Sequence, residues 1–487
     1  MTHIQKKHAV VIGGSIAGML TARVLADYYE QVTVLDRDTF PDSPDHRKGV
    51  PQSQHAHGLL ARGQITIERF FPGILGEIRE AGAQTDGNLL IISPAGKLPN
   101  PVFSDAKPKK SGDDGPKGVY ASRFFLEWHI RRRLNMLDNV KIQNGVEVVN
   151  ILATADQTRI TGVEIEERHT DADRDSIAAD LVVDASGRRS KVSTWLADLG
   201  YDTPPEEHIN SGLGYASRFY RKPENFPSDW AGIIINGRPP DNPRAGLIMP
   251  IEEDMWHVSI GGFAGHHPPN DEAGFMQWAR DLPDPSLYEA IRIAEPLTPI
   301  RGYRTDVNTL RHFEKLKRWP KNFVVTGDAV CCFNPIHGQG MSTSAMDALA
   351  LRRVLKEWTA DPTLDFERLV RDRIAETVAA PWLIATGEDL RWSGVKLEGS
   401  SHWGMSLFHR YMNIYLRQAT QDQQLASLYH AVINLLVPPA MLRHPAIVAR
   451  VLGKTMMSKF QRKSGDELAL TSQALAQLRS RPAFNES

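Results

Sequence analysis

The sequence predicts an α/β fold into which a mostly antiparallel β-sheet is inserted and which ends in a helical region. Three observations carry this. A short apolar strand near the N-terminus runs into glycines, a helix and a second strand. Two more short apolar runs, Leu181–Val183 and Phe323–Thr326, each end on an acid, Asp184 and Asp328. Between them, 210–320 read differently: "GLGYASRFYR", "AGIIING", "AGLIMPIEED" and "MWHVSIGGFAG" are strand-like runs separated by turns.

At 487 residues the chain exceeds one ordinary core, so several subdomains are expected. The nucleotide-binding domain is assigned to 1–90, 121–209 and 321–357. Residues 91–120 hold a segment of the inserted domain and a loop rich in Lys, Asp, Gly and Pro at 104–118. The inserted sheet takes 210–320, and 358–487 form the helical region. There Leu425, Leu428, Val432, Leu435 and Leu436 mark an amphipathic helix that "VPPAM" interrupts.

Composition is that of an ordinary globular protein, 41% hydrophobic and 24% charged, with a net charge of −1. That balance gives no footprint for nucleic acid. No apolar run reaches the roughly 18 residues of a membrane-spanning helix. The first apolar run is too short for a secretory signal, and two cysteines make no disulfide framework, so a cytoplasmic location is expected. Oligomeric state has no sequence signal.

"HAVVIGGSIAGMLTARVLADYYEQVTVLDRD" holds the first strand (Ala9–Ile12), a helix with Leu20, Val24 and Tyr28 on one face, and a strand Gln31–Leu35 ending on Asp36. This is the context of a Rossmann-type dinucleotide fingerprint. Gly13 suits the sharp turn and Gly18 the close packing of helix on strand. The helix N-terminus, with Gly14 and Ala17 beside it, offers N–H groups to a pyrophosphate. Ser15 stands where a glycine is usual, and its hydroxyl can serve a phosphate oxygen. Asp36 is placed to accept from ribose hydroxyls, and Arg37 to meet the adenosine half.

Three motifs in order, G-G-S-I-A-G at 13–18, D-A-S-G-R-R-S at 184–190 and G-D-A-(x)5-P-x-x-G-Q-G-M at 327–341, resemble the group A flavin-dependent monooxygenases, with the para-hydroxybenzoate hydroxylase-like fold. The segment "FPDSPDHRKGVPQSQHAHGLL" at 40–60 resembles the flavin-dependent polyene epoxidases of polyether biosynthesis. The resemblance implies FAD, reduced transiently by NADPH or NADH, and transfer of one oxygen of O2 through a flavin C4a-hydroperoxide. It implies that Asp328 meets the ribityl end, Arg123 the cofactor and Val148 the adenine. Arg47, Lys48 and Gln52 would wrap the flavin. The turn Pro335, Gly338, Gln339, Gly340 and Met341 would lie against the reactive ring, the N–H groups of Gly340 and Met341 facing its N1–C2=O edge.

Alternation in the inserted sheet nominates Met249, Trp256, Val258, Ile260 and Phe263 as lining for an apolar substrate, an assignment a packed core would match equally. No acid or base is assigned, although His257, Tyr215 and Tyr303 are conceivable. That absence favours epoxidation of an alkene in a polyene or similar natural-product precursor. Aromatic hydroxylation, alkene reduction of the geranylgeranyl-reductase kind and a non-catalytic flavin carrier are the alternatives. The W-x-W-x-I-P signature of flavin halogenases is absent. His55 and His57 lack neighbours at ligand spacing, so no metal is expected. The pair Cys331–Cys332 and His337 read as structural rather than chemical.

Overall fold

The computed structural model describes residues 7–457, except 86–88, 100–118, 169–173, 225, 229, 305–306 and 400–403. The loop expected at 104–118 lies outside the described residues. A five-stranded parallel sheet forms the centre, in the spatial order Phe323–Val325, Leu181–Asp184, His8–Ile12, Gln31–Asp36, Val140–Asn144. Val10, Val11, Val182, Val183 and Val324 are buried along it, as strands covered on both faces require.

The register pairs Ile12 with both Leu35 and Asp184, and Val325 with Asp184. The carboxyl ends of four strands therefore finish level, which is where a doubly wound sheet offers a crevice. The fingerprint helix spans Ile16–Leu25 and packs on the long helix Gly340–Ala360. It stops before Tyr28, because Asp27 and Tyr28 already bond back in tight turns to Val24 and Leu25.

The large mixed sheet contains Gly214–Arg221, Met255–Gly262, Arg244–Ile251 and Gly232–Ile235 in antiparallel order, then Leu89–Ser93 parallel to Gly232–Ile235. Leu89–Ser93 begins two residues before the boundary expected at 91. Asn308–Arg311, expected in this sheet, instead pairs with Glu206–Ile209 and Cys331–Cys332 in a separate four-stranded sheet. Its shift ties the inserted region to the turn after the last central strand.

The helical region comprises Phe366–Asp389, Met405–Ala419, Gln423–Ile433 and Pro445–Met457. The helix expected through Leu436 ends at Ile433, and Leu435 takes a positive φ of 57°. Tyr415, Leu416, Leu425 and Val432 form a core with Ile91 and Leu98 of the large sheet, so these helices cap its end. Among the described residues no helix is long and apolar enough to cross a membrane.

Candidate functional site

The fingerprint turn leaves no room for side chains. Gly13 has φ +102°, and a Cβ there would lie 2.5 Å from the Ala185 carbonyl oxygen; one on Gly18 would lie 1.7 Å from the Gly13 carbonyl oxygen. Gly14 N–H donates to Asp36 Oδ2 at 2.7 Å, so the second strand's terminal acid braces the turn. Ala17 packs under Gly327, whose added Cβ would stand 2.8 Å from its own.

Ser122 caps the helix Arg123–Leu134 by accepting from Phe125 N–H, and its own N–H donates at 2.9 Å to Glu252, in the turn after the strand Arg244–Ile251. This brings Arg123 across the turn, where Nη2 donates to Ser15 Oγ at 2.7 Å. Arg47 is fixed by three carboxylates: Nε to Glu127 at 2.7 Å, Nη1 to Asp38 at 3.1 Å and to Asp36 at 3.3 Å. Arg47 Nη2 and Arg123 Nε are buried without a hydrogen-bond partner. Such unmet donors at a glycine turn suit an anionic, oxygen-rich ligand.

Arg37 and Lys48 are exposed, Gln52 is half-buried in the turn Pro51–Gln54, and Val148 is packed in the main core beside its partner Ile165. Asp328 is half-buried, and a Cβ on Gly340 would lie 3.8 Å from its Oδ1. Burial pushes its carboxyl pKa up, opposed by the charges of Arg123 and Arg188. Asp184 is wholly buried and raised for the same reason, held in check by hydrogen bonds from Ser186 and Ser190.

The turn after Asp328 is built around Asn334. Asn334, buried, accepts from Ile336 N–H and donates to Ser211 Oγ at 3.1 Å and Asp389 Oδ1 at 2.8 Å. Gly338 takes φ +61°, and the long helix starts two residues later. Gln339 Oε1 and Thr343 Oγ1 at that helix start are buried without partners.

Pro335, Gly338, Gln339 and Met341 border a cavity of ≈ 1410 Å³. It is larger than the about 300–1,000 Å³ usual for small-molecule sites. Three stretches wall it: the segment 55–65, the large sheet, and the helices from Ala379 to Arg443. Leu247, Met249 and Phe263 line it, with Trp392 stacked on Phe263 at 4.8 Å.

Trp256 and Val258 do not line it. With Ile260, which borders the cavity but is fully buried, they occupy a second core with Phe275, Trp278 and Leu287 on the sheet's opposite face. Residues 257, 259 and 261 alternate with them, and Ser259 and Gly261 border the cavity. The correction follows from the sheet being covered on both faces: alternation fixes two faces but not which one is hollow.

His257 is buried and bonded to the Gln54 carbonyl, and burial holds its pKa well below the usual imidazole range. His55 is pushed down to about 4 and His57 to about 3 by burial. His55 shares a hydrogen bond of 2.8 Å with Ser217 and packs on Tyr215 and Tyr303. Tyr215, also on the cavity wall, has its phenol raised by burial. Cys331 and Cys332 are buried free thiols. Burial lifts Cys331 well above the usual range and Cys332 to about 12, so neither presents a thiolate. Asp389 has no local sequence signal: it lies at the C-terminal end of the helix Phe366–Asp389, 55 residues from Asn334.

No family model matches the chain. Protein Rv3254 of Mycobacterium tuberculosis (strain ATCC 25618 / H37Rv) is 30% identical over 460 residues, covering 93% of this chain and 94% of that protein. Among solved structures, the flavin-dependent brominase Bmp2 superposes with a TM-score of 0.63 at 14% identity, over 93% of this chain and 100% of that one. The p-nitrophenol 4-monooxygenase PnpA from Pseudomonas putida DLL-E4 gives 0.61 at 18% identity, over 88% and 99%. The myxobacterial chondrochloren halogenase CndH gives 0.57 at 17%, over 95% and 98%. This chain belongs to the family of the mycobacterial protein Rv3254, and its fold is that of the group A flavin-dependent monooxygenases and halogenases.

Proposed function

We propose that the protein is an FAD-dependent monooxygenase that adds one oxygen of O2 to an electron-rich carbon–carbon double bond of an apolar substrate. An epoxide is the product for a plain alkene, as in a polyene or similar natural-product precursor. The observation that carries this reading is the large, mainly apolar cavity closed on one side by the turn Pro335–Met341. The absent W-x-W-x-I-P signature favours oxygenation over halogenation.

The residues fit FAD. The Gly13–Gly18 turn and the following helix would take the pyrophosphate, Asp36 a ribose, Asp328 the ribityl chain, and Arg123 a phosphate oxygen. Arg47, Lys48, Gln52, Arg37 and Val148 are assigned to the same cofactor as neighbours of its two ends. Bound FAD, reduced by NAD(P)H, supplies the activation of O2.

The chain itself binds, orients and excludes water. N–H groups at the start of the helix Gly340–Ala360 present a positive end to negative charge gathering nearby. Gly338 at φ +61° lets the backbone turn tightly before that helix. Leu247, Met249 and Phe263 hold apolar substrate against this turn, and the C-terminal helices close the outer side.

Purified protein should be yellow and release FAD on denaturation. NAD(P)H oxidation should be stimulated by apolar alkenes and consume O2, and 18O2 should label the product by one atom. Colourless protein that cannot be reconstituted, or alkene reduction without O2 uptake, would overturn the proposal.

A further inference from the structure

The cavity wall is buried or half-buried except at five residues. Ile65, Ala379, Leu383, Gly404 and Arg443 are exposed, so the cavity opens among them. Four of these offer no polar side-chain atom, and the fifth is a cation. Leu407, 71% exposed, stands beside Met405 and Phe408 of the wall, and Ile65 and Leu383 are each 44% exposed. Only seven large apolar side chains are exposed among the described residues, and three of them gather at this opening. Such a gathering marks a surface that meets something apolar.

The rim is continuous. Ala61 N–H, at the start of the helix Ala61–Phe70, donates to Asn434 Oδ1 at 3.1 Å. Arg62 Nε and Nη2 donate to the carbonyls of Leu435 and Leu436, both at 3.1 Å. Leu436 and Pro439 carry the wall on to Arg443, whose guanidinium lies 5.9 Å from the Phe408 ring centroid. His409 Nε2 meets the Gly387 carbonyl at 2.7 Å, one turn beyond Leu383. The helix Met405–Ala419 buries Met412, Tyr415 and Leu416 against the core and leaves Leu407 and Arg410 exposed.

Charge decides what the rim meets. Arg62, Ile65 and Arg69 follow one another on one face of their helix, and Arg410 lies one turn past Leu407. Arg69, Arg410 and Arg443 are exposed. Acids nearby are committed within the fold: Glu68 accepts from the N–H groups of Gly73 and Leu75, and Glu388 pairs with Arg391 at 3.0 Å. Apolar side chains ringed by arginines match a lipid surface with anionic headgroups. The side chains enter the acyl boundary while the guanidinium groups reach the phosphates. A second copy of this chain would instead bring arginines against arginines.

We propose that this rim seats on the surface of an anionic lipid bilayer, with the cavity mouth facing the lipid. One consequence rests on the monooxygenase reading: its apolar substrate passes from the acyl phase to the cavity without crossing water.

Purified full-length protein is sedimented with sucrose-loaded vesicles of phosphatidylcholine, with and without about one-third phosphatidylglycerol. Wild type should bind the anionic vesicles at least tenfold more tightly than the neutral ones, and added salt should weaken that binding. Leu407→Glu should weaken it at least tenfold and Arg410→Glu several-fold, with flavin content and Tm unchanged, since both side chains are exposed and outside the cavity wall. Met136→Glu, at a side chain 70% exposed on the nucleotide-binding domain, should bind as wild type does. Absent binding, as an acidic protein partner would give, overturns the proposal. So does equal binding to neutral and anionic vesicles, full binding by Leu407→Glu, or the same loss in Met136→Glu. A lipid-free dimer in sedimentation velocity that Leu407→Glu splits also overturns it, in favour of self-association. The assay reads no turnover, so failure of the monooxygenase reading, seen as absent flavin or absent O2 uptake, is distinguishable.

Discussion

Asp347 sits on the inner face of the helix Gly340–Ala360, 1% exposed, directly behind the turn at Gly327. Its Oδ2 accepts from Gly327 N–H at 3.2 Å and from the Thr326 hydroxyl at 3.4 Å; its Oδ1 has no partner. Burial raises its pKa to about 7, and the nearby Asp328 charge pushes the same way. In the unfolded chain it titrates near 3.9. A folded pKa above the unfolded one means its contribution to stability is fully present below about pH 4 and is lost as pH rises through 7. By linkage the raised pKa costs stability on the order of 1–2 kcal/mol at pH 5 and about 4 kcal/mol at pH 8. Asp347→Asn removes the titration, and whatever its amide costs does not vary with pH. The stability difference between variant and wild type should therefore move in the variant's favour by about 2–3 kcal/mol from pH 5 to pH 8. For a chain this long that is roughly 2–3 °C in Tm. Differential scanning fluorimetry of both proteins at both pH values measures it. A difference in Tm that is the same at pH 5 and pH 8, or that favours wild type as pH rises, refutes the reasoning.

Gly18→Val should cost about 1–3 kcal/mol, because strand and helix must part to admit a Cβ now only 1.7 Å from a carbonyl oxygen. The flavin-to-protein ratio after gel filtration should fall with it, and a full complement of flavin would contradict the packing argument. Trp256→Ala should lose about 3–5 kcal/mol of stability while leaving substrate preference intact, since the ring belongs to the far core. Met249→Ala should do the reverse, changing KM for apolar substrates more than Tm. A disulfide reagent at pH 8 should leave both cysteines unmodified in the native protein and titrate two on unfolding; rapid native labelling would show an exposed thiolate.

What was legible in the sequence was what neighbours in the chain decide. The strand, glycine turn, helix and terminal acid at 8–36 all act over short separations, so spacing alone places Gly13, Gly18 and Asp36. Trp256 shows the limit: the strand Met255–Gly262 carries Trp256, Val258 and Ile260 on one face and Met255, His257 and Ser259 on the other, and is buried on both. Its alternation cannot say which face meets a core and which a cavity. Asp389 shows a second limit, because nothing at 365–389 marks one carboxylate for a turn 50 residues earlier. Ser15 is intermediate. Its place in the turn is readable, but its engagement by Arg123 depends on a helix more than 100 residues away.

The cavity walls come from the chain's beginning, middle and end: His55 to Ile65, the large sheet, and Ala379 to Arg443. During synthesis the first two are available long before the third. A ribosome that has reached residue 370 has delivered every strand of the central sheet, yet the hollow side of the large sheet is still open to water. Ile91, Leu98 and Met249 stay uncovered until the last helices emerge. The vulnerable interval in this protein's production is therefore late, and nonsense or frameshift lesions near the end should yield sticky, chaperone-bound chains rather than small active ones.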